Sequence, residues 1–287
     1  FLRRWCTAVE DSQAPDASEQ YRRTTAEAEV TGILRAVDTS PGVSRLAVNP
    51  LMLRILALIH STGAQLPQKR VELYKLAADT LTRTWRRANG VPESMLAEDR
   101  HVTRLLGVLA DWIHTNRPTG TAHRDEVLKI LGGQWAKMNH LPWDPDDPCV
   151  KVLEEVDKFL QTVRVHTGIF VERAPQRYGF LHLTFQEYYA ARHLINSRRT
   201  QASQIRQHLH DPRWREPILL ALGFVGLDYP DDADELVRTA ILAHGDLAAE
   251  ENLTPAPYED LLGRDFTFAL RCLADEVPVA PPLARKL

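Results

Sequence analysis

A short strand that runs directly into a helix stands out between Phe180 and Leu194. The strand pattern stops at His182, and apolar residues then recur at helical spacing, namely Tyr188, Ala191, Leu194 and Ile195. Thr184 and Glu187 have the T-x-x-E spacing of a capping box, which satisfies unpaired amides at a helix start. The junction is therefore expected to hold an imidazole beside the positive end of a helix, where a phosphate is favoured.

Length and composition limit the classes of protein that this chain can belong to. With 287 residues, 44% of them hydrophobic, the chain can form two or three packed units. A net charge of −3 provides no global basic field to attract nucleic acid or anionic lipid. The three cysteines, Cys6, Cys149 and Cys272, form neither a zinc pattern nor a disulfide framework, so we expect buried thiols in a reducing cytoplasm. No apolar run is long enough to span a membrane, and no signal peptide is visible.

The first unit, residues 1–65, is predicted to be helical. Helical patterns cover Phe1–Val9 and Glu19–Val37. A third, almost wholly apolar helix should start at Pro50 with Asn49 as its N-cap, and Gly63 can end it. Because the chain begins inside a helical pattern at Phe1 rather than at Met, we expect it to be a fragment of a longer protein.

The second unit, residues 66–196, combines helices with one hairpin. A long helix opened by Pro67 is followed by further helical patterns, including Thr121–Leu131, stopped by Gly132 and Gly133, and Val150–Val163. The pattern then becomes strand-like in two segments that flank an Ala-Pro-Gln-Arg turn, Ile169–Arg173 and Tyr178–His182. Helices followed by one hairpin are typical of a winged helix.

The third unit, residues 197–287, is again helical. Candidate helices cover Trp214–Leu227, Ala233–Ala243 and Asp260–Asp275, the last with inner positions at Leu261, Phe268, Leu270 and Cys272. Tandem helices of this size suggest HEAT-like pairs. The predicted fold class is mainly α: a helical domain, a winged-helix domain with one small β-hairpin, and HEAT-like helical pairs.

Four segments resemble a known family in its order and with plausible spacing. The string F-x-H-x-x-F-Q-E-Y-x-A-A at Phe180–Ala191 closely resembles the end of the winged-helix domain in NACHT-type STAND NTPases, which include animal NOD-like receptors and many bacterial defence proteins. Phe1–Trp5 resembles the helix after their nucleotide-binding core, and Asn49–Leu53 resembles their proline motif. Leu66–Tyr74 resembles the start of their winged-helix domain.

The resemblance implies two nucleotide contacts. His182 would contact the β-phosphate of bound ADP and help to lock the resting state, and Pro50 would lie against the adenine. Each residue also has a purely structural interpretation. His182 can satisfy a backbone carbonyl at a strand–helix junction, and proline is common in the first turn of a buried helix.

The chain lacks the motifs needed to hydrolyse ATP by itself. It contains no G-x-x-x-x-G-K-[ST] loop and no segment resembling a Walker B site. It also contains no H-E-x-x-H metal motif and no G-x-S-x-G elbow. By resemblance, ADP or ATP with Mg would be bound mainly by a P-loop domain upstream of residue 1, which would make the parent protein an ATPase.

The predicted role is the regulatory part of an ADP/ATP-dependent switch. An unidentified ligand or protein would trigger nucleotide exchange, and the parent would then form a homo-oligomer in innate immunity or anti-phage defence. The content of 28 Arg and seven Lys suggests a GC-rich bacterial genome.

Charge is unevenly distributed along the chain, with six Arg and one acid in residues 192–215 but 13 acids and three Arg in residues 228–276. Solvated helix faces or a docking face would both explain that distribution.

Two other functions are compatible with the sequence. The chain could be a helical scaffold for protein interactions in which nucleotide has no part. It could also belong to a STAND-type DNA-binding regulator, since a winged helix can place its third helix in the major groove. The helix at Val150–Val163 balances its basic residues with Glu154, Glu155 and Asp157, which disfavours DNA.

Overall fold

The computed structural model describes residues 1–39, 41–48, 50–61, 67, 69–88, 99–166, 168–244 and 252–287. They fall into two compact units. In the structure, the first unit is Phe1–Thr84 and the second unit is Trp85–Leu287. The helices and strands up to α8 are α1 (Leu2–Gln13), α2 (Glu19–Thr39), α3 (Pro41–Ala47), α4 (Pro50–Ser61), α5 (Arg70–Ala88), α6 (Asp99–Asn116), β1 (Thr121–His123), α7 (Arg124–Met138) and α8 (Val150–His166). They are followed by β2 (Phe170–Ala174), β3 (Arg177–Phe180), α9 (Leu183–Leu194), α10 (Gln201–His208), α11 (Arg215–Asp228), α12 (Pro230–Leu236), α13 (Glu259–Leu262), α14 (Arg264–Ala274) and α15 (Pro281–Ala284).

The first unit is built on the apolar helix α4. Its residues Met52, Ile55, Leu56, Ala57 and Ile59 are buried, whereas Arg54 is exposed, as the apolar run predicted. Ala57 joins a core formed with residues of α1 and α2, namely Leu2, Cys6, Ala26, Val30 and Ile33. The predicted N-cap Asn49 and the predicted stop Gly63 lie outside the described residues.

The second unit contains a small antiparallel sheet with strand order β1-β3-β2. The predicted hairpin is confirmed as β2 and β3, and β1 adds a third strand on the other side of β3. One face of the sheet is apolar, because Phe170, Tyr178 and Phe180 are buried and their rings pack together. The predicted fold class, mainly α with a small hairpin in a winged helix, is confirmed.

Helix α9 lies at the centre of this unit and is packed against α6, α11 and the sheet. Tyr188, Tyr189, Ala190, Ala191 and Leu194 are all buried. The Tyr189 ring lies against Phe180 of β3, with centroids 5.8 Å apart, and Tyr188 meets Phe224 of α11 edge-on at 5.5 Å. Such aromatic pairs add to the free energy of burial.

A buried ion pair links α10 with α14 among the helices after α9. Arg206 of α10 donates to Ile241 O in a π-helical turn, Val237–Ile241, and to Thr254 O at 2.6 Å. It also pairs with Asp265 of α14 at 2.8 Å, and that carboxylate is 2% exposed. A buried carboxylate is tolerated because it is paired and hydrogen-bonded.

Three details of the predicted elements are wrong. Thr121–His123 is a strand rather than the start of a helix, and α7 continues through Gly132 and Gly133 to Met138. The two glycines do not end the helix, because they leave space for the indole of Trp143, which lies directly over them. Helix α5 begins at Arg70, three residues after Pro67.

The predicted inner face of Asp260–Asp275 is only half correct. Phe268 and Cys272 are buried, but Leu261 and Leu270 are 82% and 39% exposed. Gly263 adopts a left-handed conformation with φ of 55°, which divides the segment into α13 and α14. A single helical period therefore cannot describe both halves.

Cys149 is also exposed, contrary to the expectation of buried thiols.

We expect Gly132→Ala to lower the free energy of unfolding by about 1–3 kcal/mol, because the added methyl overlaps the Trp143 indole. Without that overlap, alanine would stabilise a helix interior by about 1 kcal/mol relative to glycine. Chemical denaturation measures the change. The control is the same substitution in a Trp143→Ala background, where it should be neutral or stabilising. A stabilising effect in the wild-type background would contradict the packing described here.

Candidate functional site

His182 is the N-cap of helix α9. It has an extended backbone, with φ of −146° and ψ of 149°, between the end of β3 and the first helical residue, Leu183. Its Nδ1 accepts the backbone N–H of Thr184 at 3.2 Å and lies 3.0 Å from Oγ1 of the same residue. The predicted role of Thr184 as the capping residue is therefore wrong. The helix starts earlier, and Thr184 is buried in its first turn.

This hydrogen bond determines which imidazole nitrogen carries the proton. A backbone amide can only donate, so Nδ1 of His182 must be unprotonated and the neutral ring carries its proton on Nε2. Partial burial lowers the pKa of His182, and the positive charge of Arg173 lowers it further. At neutral pH the side chain is therefore a neutral donor through Nε2, located at a helix N-terminus.

Arg173 adds positive charge on the other side of the same junction. It lies in β2, and its Nη2 donates to the carbonyls of Phe180 and Leu181, the second at 2.8 Å. These two residues directly precede His182. The guanidinium therefore fixes the path of the chain into the helix and makes the surrounding potential more positive. The role of Arg173 could not be predicted from the sequence, because no local spacing connects it with His182.

A second histidine caps a helix in the same unit. His123 ends β1 and caps α7, with its backbone N–H donating to Glu126 Oε2 at 2.9 Å and its Nδ1 accepting from Asp125 N–H at 3.4 Å. Arg117 is paired with Glu126. The H-x-x-E spacing of His123 and Glu126 is a sequence signal for this cap, which the prediction of one helix over Thr121–Leu131 misses. His123 provides a natural control for His182.

Pro50 is the first residue of α4 and is exposed to solvent, whereas most of the helix behind it is buried. That position agrees with its predicted structural role at a helix start. Pro50 lies in the first unit and His182 lies in the second.

The described residues contain neither a candidate metal site nor a candidate membrane span. Within the described ranges, no group of three or more His, Cys, Asp or Glu residues could hold a metal ion. In the same part of the chain, no helix combines the length and apolar character needed to cross a membrane.

The β1-β3-β2 sheet, the helices that pack on it and the capped α9 together define a winged-helix domain. Residues 70–194 match a family model described as a winged helix-turn-helix domain C-terminal to NACHT. His182 lies inside this segment and Pro50 lies outside it. The match supports a NACHT-family context for the chain. Neither a search of curated proteins nor a search of solved structures gave a match.

We expect His182→Ala to lower the free energy of unfolding by about 0.5–2 kcal/mol, because the Thr184 amide loses its acceptor. His182→Asn should restore most of the loss, since an asparagine side-chain oxygen is a good N-cap. Urea denaturation near neutral pH compares the three proteins. Equal losses for the Ala and Asn variants would show that His182 does not contribute through capping.

The wild type and His182→Asn should also differ in pH dependence. The pKa of His182 is lower in the folded chain than its ordinary value. Below about pH 6.5, the unfolded chain therefore binds more protons at this residue than the folded chain does. The stability of the wild type relative to His182→Asn should therefore fall as the pH drops from about 7.5 to 5.5. Asparagine does not titrate, and other groups cancel in the comparison. A difference that stays constant over this range would contradict the assignment.

Proposed function

We propose that the chain is the regulatory part of a NACHT STAND ATPase, and that it converts the nucleotide state of an upstream domain into a change of shape. The observation that supports this most directly is the neutral Nε2 donor of His182 at the N-terminus of α9, inside the segment that matches the NACHT-associated winged helix. ADP or ATP with Mg would be bound mainly by the upstream P-loop domain. His182 would donate to the β-phosphate of ADP, and Pro50 would pack on the adenine.

The chemistry of His182 suits a reversible contact. A hydrogen bond to a charged group is worth about 1.5–3 kcal/mol, which can shift a two-state equilibrium without fixing it permanently. A neutral imidazole donates one directional bond that is lost when the domain rotates. Arg173 and the amides of α9 add positive potential around the phosphate without supplying that directional contact.

The packing of α9 supports a movement in which the winged helix carries the C-terminal helices with it. His114 of α6 donates from Nε2 to Arg213 O at 2.9 Å, and Arg213 Nη1 donates to His114 O. Trp214 is fully buried between the rings of His114 and His208. A ligand that engages the C-terminal region would therefore act on the same packed body that contains His182.

In this mechanism, ADP holds the winged helix in the resting arrangement. The trigger, a protein or a small ligand, releases ADP, and ATP then favours a form that assembles into a homo-oligomer. Innate immunity or anti-phage defence in the cytoplasm is the proposed setting. The ATPase activity would belong to the parent protein and not to this chain alone.

A DNA-binding role has less support from the charges of α8. Lys158 pairs with Glu155 at 2.9 Å, and Arg164 pairs with Glu172 of β2 at 2.8 Å. These cations are already engaged with carboxylates, so phosphate contacts would compete with existing ion pairs. The pairs favour an intramolecular role for the helix. A nucleotide-independent scaffold is the alternative function. Measurement of the nucleotide retained by the parent protein distinguishes it from the switch.

We expect the purified parent protein to retain ADP, and His182→Ala to lower its affinity for ADP by about ten- to hundredfold, the value of the lost hydrogen bond. Denaturing release followed by chromatography measures the retained nucleotide. His182→Asn keeps the cap but removes the Nε2 donor, so it should also lose ADP. The matched control is His123→Asn, which replaces the other histidine cap and should retain ADP.

Two results would contradict the proposal. One is normal ADP retention and an unchanged resting oligomeric state in both His182 variants. The other is a wild-type parent that neither carries ADP nor binds added ADP, which would favour the scaffold. Pro50→Ala tests the adenine contact separately, with a smaller expected loss of ADP affinity, because one apolar contact is removed rather than a charged hydrogen bond.

A further inference from the structure

A cavity of about 510 Å³ lies in the second unit, between the end of α6 and the first turns of α9 and α11. Its volume is within the range of small-molecule sites. The residues that concern its chemistry are Gln186 and Glu187 on α9, Arg215 and Glu216 on α11, and Gly120 before β1. The cavity adjoins the helix turn that His182 caps.

A chain of hydrogen bonds sets the orientation of Gln186. His114 Nε2 lies 2.9 Å from Arg213 O, and a carbonyl can only accept, so the proton of His114 is on Nε2. Burial lowers the pKa of His114, which keeps the ring neutral and leaves Nδ1 as an acceptor. Nδ1 lies 2.9 Å from the Gln186 side-chain nitrogen, which therefore donates to it.

The carbonyl oxygen of the Gln186 side chain must then point the other way. Oε1 lies on the side of Gly120, 3.6 Å from the position that a Cβ on that glycine would occupy. Gln186 is only 4% exposed, and no hydrogen-bond donor reaches its Oε1 in the part of the chain that the structure describes. Oε1 is open to the cavity rather than sealed in the core, so it is an oriented acceptor for a ligand that offers an N–H or O–H group.

The charges around the cavity have both signs. Arg117 is paired with Glu126, and Arg213 is paired with Asp211 at 2.7 Å, so their charges are largely offset. Two further arginines line the cavity. Arg173 is engaged with the carbonyls of Phe180 and Leu181, whereas Arg215 is exposed and has no ion pair or hydrogen bond among the described residues. Its guanidinium can bind a carboxylate. The carboxylates of Glu187 and Glu216 also line the cavity, which therefore contains charges of both signs.

We propose that this cavity binds an amino-acid unit, whose carboxylate pairs with Arg215 and whose N–H donates to Gln186 Oε1. A free amino acid and the C-terminal residue of a peptide share this chemistry. Occupancy would stabilise the first turn of α9 and thereby the position of His182. Binding itself does not depend on the proposed function, whereas its effect on the nucleotide switch rests on it.

The first test measures the binding of each standard L-amino acid to the 287-residue chain by isothermal titration calorimetry. We expect at least one dissociation constant below about 1 mM. No binding below about 10 mM for any of them, or for its N-acetyl derivative, overturns the proposal. The derivatives are included because a peptide C-terminus carries no ammonium group.

Analogues of the best ligand then separate the groups that it uses. Its amide lacks the carboxylate, and its 2-oxo acid lacks the N–H, so each should bind at least about tenfold more weakly. If both analogues bind as well as the parent ligand, the proposal is wrong. Equal binding of the N-acetyl derivative identifies a peptide C-terminus as the source, and weaker binding identifies a free amino acid.

Substitutions locate the site. Arg215→Gln should weaken binding at least about tenfold, because it removes the cation for the carboxylate. Arg199→Gln is the matched control, since it removes the same charge from an exposed arginine outside the cavity. Gln186→Leu should also abolish binding if the variant folds. If Gln186→Leu does not fold, the affinity of Arg215→Gln alone tests the site. Unchanged affinity in Arg215→Gln overturns the proposal.

Nucleotide retention separates this site from the proposed function. If the wild-type parent retains no ADP but an amino acid binds with the expected Arg215 dependence, the switch is wrong and this site stands. If ADP is retained and depends on His182 but no amino acid binds, the switch stands and this inference is wrong.

Discussion

The burial of α9 is the constraint on which the second unit depends. Its residues Tyr188, Tyr189, Ala190 and Ala191 are nearly inaccessible to solvent, so α6, α11 and the sheet must all close around it. A helix buried on this many sides cannot move by itself. A displacement of its capped N-terminus would therefore also displace the sheet and the C-terminal helices.

The first turn of α9 contains two histidine interactions that follow the same physical rule. A group that can only donate, the Thr184 amide, fixes the proton of His182, and a group that can only accept, Arg213 O, fixes the proton of His114. The proton of His182 is therefore on Nε2, and Nδ1 of His114 is left to accept from Gln186. The donors and acceptors at the first turn of α9 are thus set by hydrogen bonds to the backbone.

Much of this arrangement could be predicted from local sequence, and the remainder depends on distant contacts. The helices, the hairpin and the position of His182 at a strand–helix junction follow from periodicity. The course of α7 through Gly132 does not, because it depends on Trp143, which lies in the loop after that helix. Arg173 and the pairing of His114 with Gln186 were also not predictable, since these residues meet only after the chain has folded. The exposed position of Leu261 follows from the left-handed Gly263, which shifts the helical phase.

Arg206 connects segments that are far apart in sequence. Through Ile241, Thr254 and Asp265, one guanidinium links α10 with residues on both sides of the segment 245–251. The helices before and after that segment are therefore joined by a buried, hydrogen-bonded contact as well as by the backbone. Loss of this one guanidinium would therefore remove, at the same time, the charge partner of the buried Asp265 carboxylate and the donor to both carbonyls.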